Sequence, residues 1–266
     1  MHPLPPVGAQ LREWRQRRRL SQLALAGHAD VSTRHLSFLE TGRALPSREM
    51  VLRLANRLEV PLRERNRLLT AAGYAPLYRE HALADPEMRA PAQAVERVLA
   101  AHEPYPALAV DRHWQLVASN RMLPLLLSEL PAELLTPPVN VLRLSLHPQG
   151  LAPRIVNLAQ WRGHLLHRLQ RQVQASADPV LGALADELRA LPAPDATDAA
   201  EADAADAAVY VPLRIRTAIG VLNLISIVTV FGTPTDITLS ELALETFFPA
   251  DDFSAQALRG LAETLR

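Results

Sequence analysis

Thr33, Arg34, Ser37 and Phe38 lie in the stretch LSQLALAGHADVSTRHLSFLETGR (20–43) at a spacing that places them on the outward side of one short helix. A guanidinium and two short hydroxyls can read polar edges and an aromatic ring can meet an apolar group, which is recognition chemistry rather than bond-making. The same stretch supplies the means of presenting them. Ser21 can cap a helix whose inward face is Leu25, Ala26 and Ala29; after Asp30, Ser32 can cap a second helix with Leu36 and Leu39 facing in. Helix, tight turn, helix is the arrangement that lays its second helix in a DNA major groove. Elsewhere the chemistry is thinner. His164 and His167 stand three apart on a helix, as a metal pair would, but on its polar side and without a third ligand, so they read as a solvated pair. His147, before Pro148, reads as a turn residue. The chain shows no Gly-rich phosphate loop, no nucleophile elbow and no carboxylate pair at a catalytic spacing. It reads as a non-enzyme without catalytic residues, metal or built-in cofactor.

At 266 residues the chain is long enough for two domains, because a single core stops growing near ~250 residues. It has no cysteine, which excludes disulfides, thiolate zinc sites and cysteine nucleophiles and fits a reducing cytoplasm. The longest apolar run, IGVLNLISIVTVFG, falls short of the ~20 residues a membrane helix needs, and no secretory leader precedes the first helix. A soluble cytoplasmic protein with no membrane partner is expected. The net charge of zero conceals an asymmetry: residues 1–79 hold 14 arginines against 6 acids, and the remainder 14 against 22. The first third is therefore the part suited to a polyanion.

The elements that would position these residues follow from the pattern. A helix from about Gly8 to Arg18 turns Leu11 and Trp14 inward; the capped pair follows; LPSREMVLRLANRLEVP gives a fourth helix capped by Ser47, and LRERNRLLTAAGYAP a fifth stopped by Gly73 and Pro76. Residues 1–75 thus read as an all-α five-helix domain, and 76–104, interrupted by prolines, as a connector containing the helical AQAVERVLAAHE. Over 105–266 the period changes. ALAVDRHWQLVASN reads as two short strands; NRMLPLLLSEL, NVLRLSL, APRIVNLAQWRGHLLHRLQRQVQAS and DPVLGALADELRAL as helices; AVYVPLRIRT, GVLNLISIVTVFG and DITLSELALETFF as three more strands. That order predicts an α+β domain with an antiparallel sheet covered by helices. The acidic segment near 193–208 has little to bury and reads as a flexible surface loop.

LREWRQRRRLSQ, LETGRALPS and VLRLANRL resemble the lambda-repressor-type helix-turn-helix of the XRE family of bacterial regulators over residues 8–73. Several spaced elements agree: Arg15, Ser21-Gln22, Val31-Ser32, Leu39-Glu40, Gly42-Arg43 and Pro46-Ser47. The resemblance implies double-stranded operator DNA as partner, bound by a homodimer, with Gln22, Ser32, Thr33, Arg34, Ser37, Phe38 and Arg43 as contacts. Gln22 at a helix start can donate to a phosphate, Arg34 can fork onto guanine O6 and N7, and Arg43 would meet a phosphate. Phe38 can meet a thymine methyl or pack against the fourth helix. Arg15 and Glu40 are implied to pair and tie the first helix to the recognition helix. The run Arg17-Arg18-Arg19 is either a solvated face or a set of phosphate contacts.

From YPALAVDRHWQLVASN almost to the end, the chain is similar to the ligand-binding domain of the MmyB-like regulators. This resemblance implies a PAS-like fold and an apolar, fatty-acid-like ligand. The candidate ligand residues are Leu123, Leu127, Leu142, Leu146, Leu158, Arg162, Leu165 and Leu224. Arg162 interrupts an apolar stripe running from Leu151 and Ile155 through Leu158, Leu165, Leu166 and Leu169 to Val173. A charge there pairs with an acid of the last strands, such as Glu241 or Glu245, snorkels to the rim, or clamps a ligand carboxylate. The expected protein is a ligand-responsive transcriptional regulator. A haem- or flavin-carrying PAS-type sensor and a small-molecule-modifying enzyme with an accessory DNA-binding domain are the alternatives.

Overall fold

The computed structural model describes residues 5–192 and 210–264. The acidic segment 193–208 lies outside them. The chain divides into two compact units, one formed by Met1–His81 with Gln174–Ala177 and Pro234–Ser240, the other by the remaining segments.

In the first unit the five expected helices are α1 (Val7–Arg17), α2 (Gln22–Ala29), α3 (Thr33–Glu40), α4 (Arg48–Arg57) and α5 (Leu62–Ala71). The three helices α2, α3 and α4 start at serine caps. Ser21, Ser32 and Ser47 accept hydrogen bonds from the amides of Ala24, His35 and Met50 at 3.0, 3.1 and 3.2 Å, each stabilising its helix by about 1 kcal/mol. Asp30, in the left-handed region at φ 53°, closes α2 and turns the chain directly into α3. Leu11, Leu25, Leu36, Leu54 and Leu68 meet in the centre with no exposed surface. Burying each contributes about 1.5–3 kcal/mol, which holds together helices too short to persist alone. Gly8 lets α1 lie against the end of α3: a Cβ there would stand 2.2 Å from the Leu39 carbonyl oxygen.

The second unit is built on a five-stranded antiparallel sheet, β1 (Ala107–Val110), β2 (Leu116–Ser119), β3 (Leu213–Thr217), β4 (Gly220–Val230) and β5 (Ala243–Pro249), in the order β2-β1-β5-β4-β3. α6 (Arg89–Ala101), in the stretch read as a connector, packs Val95 and Leu99 with Ala107, Ala109 and Leu244. The opposite face, carrying Leu108, Leu213, Ile215, Leu222, Leu224 and Phe247, forms the main core with α7 (Met122–Leu127), α8 (Val141–Leu146), α9 (Leu158–Ser176) and α10 (Pro179–Ala190). α11 (Ile237–Ser240) belongs to the first unit, whereas α12 (Asp252–Glu263) belongs to this one. This is the predicted α+β, PAS-like architecture.

Two elements differ from expectation. The long helix predicted from Leu151 begins at Leu158, because Ala152–Arg154 forms a 3-10 turn around Pro153 and Ile155 bridges to Ile215 of β3. The Val156 amide donates to the Arg214 carbonyl at 2.8 Å, committing this segment to the sheet edge. The start of DITLSELALETFF is helical, as α11, rather than extended. Asp236 accepts the Leu239 amide at 3.2 Å and sets that turn.

Candidate nucleic-acid interface and ligand cavity

Helix α3, the expected recognition helix, is held from behind by a buried ion pair. Arg15 and Glu40 are 9% and 7% exposed, and their groups meet as two forks, Nε to Oε1 at 2.6 Å and Nη2 to Oε2 at 2.8 Å. Arg15 Nη1 donates to the Leu20 carbonyl at 2.8 Å, and Gln22 Nε2 donates to Glu40 Oε2 at 2.8 Å. Burial pushes the Glu40 carboxyl up, but hydrogen bonds from Arg15 and Gln22 and the charges of Arg15 and Arg12 outweigh it and hold the group below the usual carboxylate range. The hydrogen bond to Glu40 raises the Arg15 guanidinium against the opposing effect of burial.

With its back fixed, α3 presents Thr33, Arg34, Ser37 and Phe38 outward. Arg34 is exposed and the other three are half-buried. The guanidinium of Arg34 lies 5.4 Å from the centre of the Phe38 ring, and that of Arg43 lies 6.0 Å from it. Phe38 stands outside the helical core, so its ring serves two arginines rather than α4. Gly42 at φ 73° makes the turn that brings Arg43 back beside α3. Ser32 is exposed and its oxygen caps α3, leaving its O–H as the free donor. Gln22 departs from the phosphate-donor expectation in one respect: one of its amide hydrogens is committed to Glu40. The Arg17-Arg18-Arg19 run is not one face. Arg17 pairs with Glu13 at 2.8 Å, Arg18 donates to the Leu58 and Glu59 carbonyls at 2.8 and 3.0 Å, and Arg19 is exposed.

In the second unit an apolar void of about 70 Å³ lies between the sheet and α7, α8 and α9. Leu123, Leu127, Leu142, Leu165 and Leu224 line it, as expected. Leu146 and Leu158 do not: Leu146 is core at 4% exposure, and Leu158, at the first turn of α9, packs half-buried on the core. Arg162 also lies outside the lining. Its Nη2 donates to the carbonyls of Leu188, Arg189 and Leu191 at 3.3, 2.8 and 3.0 Å, where α10 ends. It therefore satisfies the orphaned carbonyls of a helix C-terminus. The acid pair does not describe it, because the acids have other cations. Glu245 is bonded to Arg168 at 3.0 Å and Glu241 lies 3.6 Å from Arg112.

The only polar side chains among the lining residues, apart from the indole of Trp161, are Ser145 and Glu245. Trp161 Nε1 donates to Ser145 Oγ at 3.0 Å. Glu245, 5% exposed, accepts from Arg168 and from Ser226 Oγ. Arg168 in turn lies 4.3 Å from the centre of the Trp114 ring, whose Nε1 donates to Gln172 at 2.7 Å. His164 stacks on Trp161 with ring centres 5.6 Å apart, and burial followed by the nearby Arg168 charge holds its pKa below the usual histidine value. His167 is exposed, and no group of three potential metal-binding side chains occurs among the described residues. Glu245 and Ser145 were not singled out as cavity residues from sequence. The signal for Glu245 was present: in ALETFF the acid falls in phase with Phe247 on the covered face of β5.

Comparison with known proteins agrees with both halves. The family model described as an MmyB-like transcription regulator ligand-binding domain matches residues 91–261, and that of a helix-turn-helix domain matches residues 6–68. No match was found among curated proteins. Among solved structures, one of an RNA-binding light-oxygen-voltage receptor aligns with 97% of this chain at 12% identity and a TM-score of 0.27, and the chain spans 64% of that receptor's length.

Proposed function

Since the chain belongs to the MmyB-like transcription regulators, with a helix-turn-helix domain ahead of the ligand-binding domain, we propose that it is a ligand-responsive regulator of a specific operator, acting as a homodimer. α3 enters the major groove, Arg34 reads a guanine, and Arg43, Gln22 and the O–H of Ser32 take phosphates. Phe38 restrains the two arginines that flank its ring, so that less side-chain freedom is lost on binding.

The ligand is a small molecule with an alkyl or acyl chain, held in the void of the second unit. The observation that carries this reading is the lining itself, in which leucines surround a space with two polar groups, the Ser145 hydroxyl and the Glu245 carboxyl. At about 70 Å³ the space is roughly half of the ~150 Å³ that holds a benzene molecule. A chain therefore enters by displacing wall side chains. The leucines of α7 are the movable part, because that helix spans only six residues, Met122–Leu127. Entry thus couples to a rearrangement of α7, which gives the ligand a differential affinity for two states of the domain.

Native mass spectrometry of the purified full chain, followed by organic extraction, tests this. A bound species of a few hundred daltons that is recovered in the organic phase is the expected result. A bare polypeptide mass that gains no alkyl-chain compound on incubation would remove the ligand reading, and a coloured protein with a haem or flavin spectrum would replace it.

A further inference from the structure

We propose that the ligand ends in a hydrogen-bond donor, a hydroxyl or an amine, and that Glu245 receives it. The inference rests on the void being the ligand site. On the helix-covered face of β5, Glu245 is in register with Leu108 of β1 and Val228 of β4, at a position where an apolar side chain would be the ordinary occupant. It is 5% exposed and lines the void. Both of its hydrogen bonds, from Arg168 Nη1 and Ser226 Oγ, fall on Oε1. Among the described residues none falls on Oε2, so this is the oxygen left to meet whatever enters.

An ionised carboxylate accepts hydrogen bonds and donates none, so its complement is a donor. The cation that neutralises Glu245 does not provide for an anion. Arg168 is not part of the lining and is turned to Glu245 and the Trp114 ring. Ser145, the other polar wall group, accepts from the Trp161 indole and keeps its O–H, but one neutral donor does not neutralise an anion as a cation would. A fatty-acid carboxylate would set a second negative charge beside Glu245 among leucines, where repulsion is little screened. The acid expected to be met by an arginine clamp is thus supplied by the protein, and the ligand is left to bring the donor.

The test titrates the full chain near neutral pH, by calorimetry, with 1-octanol, octylamine and octanoate, which share a chain and differ in head group. At least one donor-headed probe is expected to bind about tenfold or more tightly than octanoate. In Glu245→Gln the amide offers N–H groups as well as an acceptor, and octanoate should gain about tenfold or more relative to octylamine. Should that variant not fold, Ser226→Ala leaves the carboxylate in place and should keep the order found in the unaltered chain. Octanoate binding as tightly as both donors, or tighter, would overturn the head-group assignment while leaving the cavity as the site. Absence of binding by all three would take away the cavity reading, and the inference with it.

Discussion

Arg34 and Arg43 share one aromatic ring, yet the proposal gives them different parts of a duplex, and their substitution should separate them. Arg34→Ala is expected to cost about 1–3 kcal/mol on the best operator and to relax preference at one base pair, as removal of a bidentate guanine contact does. Arg43→Ala should weaken all sequences alike and reduce the salt dependence of binding. Fluorescence anisotropy on single-substituted duplexes distinguishes these outcomes, and a uniform loss from Arg34→Ala would remove it as a base reader. Glu40 makes a second case at this scale. Its carboxyl is held below its unfolded value of about 4.5, so it contributes stability that is present above that pH and is lost as pH falls through the folded value. Protection of the α3 amides from hydrogen exchange in the full chain should therefore fall below pH 4.5. Glu40→Gln, which leaves buried Arg15 without its partner, should lose about 3–5 kcal/mol of that protection at neutral pH and show a flatter acid limb. Unchanged protection in the variant would show that the pair does not hold α3. The partners of Arg15 and Phe38 show where reading the sequence stops. The Arg15–Glu40 pair is legible because it belongs to a spaced motif. The second cation at the Phe38 ring, Arg43, follows the φ 73° turn at Gly42, and residue types alone do not place it.

At the scale of elements, capped helices and alternating strands were legible, and the boundaries set by tertiary contacts were not. The caps at Ser21, Ser32 and Ser47 act locally and so appear in the sequence. The start of α9 does not: a 3.6-residue stripe runs through Leu151 and Ile155, but the bridge to Ile215 draws that segment onto β3. The partners of Arg162 were not legible either, because they are backbone carbonyls of Leu188, Arg189 and Leu191 that the fold brings to it. Its role as the cap of α10 gives a prediction. Arg162→Met should destabilise the ligand-binding unit by about 1.5–3 kcal/mol, the range for hydrogen bonds from a charged donor, and leave ligand occupancy unchanged once folded. Thermal unfolding and native mass spectrometry read the two effects separately; retained stability with lost ligand would restore the clamp. Gly8 tests the packing of α1 on α3. Because its Cβ would meet the Leu39 carbonyl oxygen at 2.2 Å, Gly8→Ala must push the helices apart, at a cost of about 1–3 kcal/mol in the melting of the helical unit. An unchanged melting transition would show that the close approach is not needed.

For the whole molecule, the charge asymmetry and the two families divide the labour. The arginine-rich first third holds the DNA-reading helix, and the acid-rich remainder holds an apolar void with its polar groups at the wall. A homodimer predicts two operator half-sites about 10 bp apart, centre to centre, or a multiple of that; a footprint of one unpaired half-site would contradict it. The central claim is that filling the void changes affinity for DNA. Its most direct test is the Kd of the full chain for a duplex selected from a random pool, measured by anisotropy at fixed salt with and without saturating 1-octanol, beside a scrambled duplex. The expected result is a selected duplex bound at least about 10³-fold more tightly than the scrambled one, with a Kd that shifts by about 5- to 150-fold when the probe is added. Equal affinity for both duplexes, or a Kd that does not move while calorimetry shows the probe bound, would contradict the account.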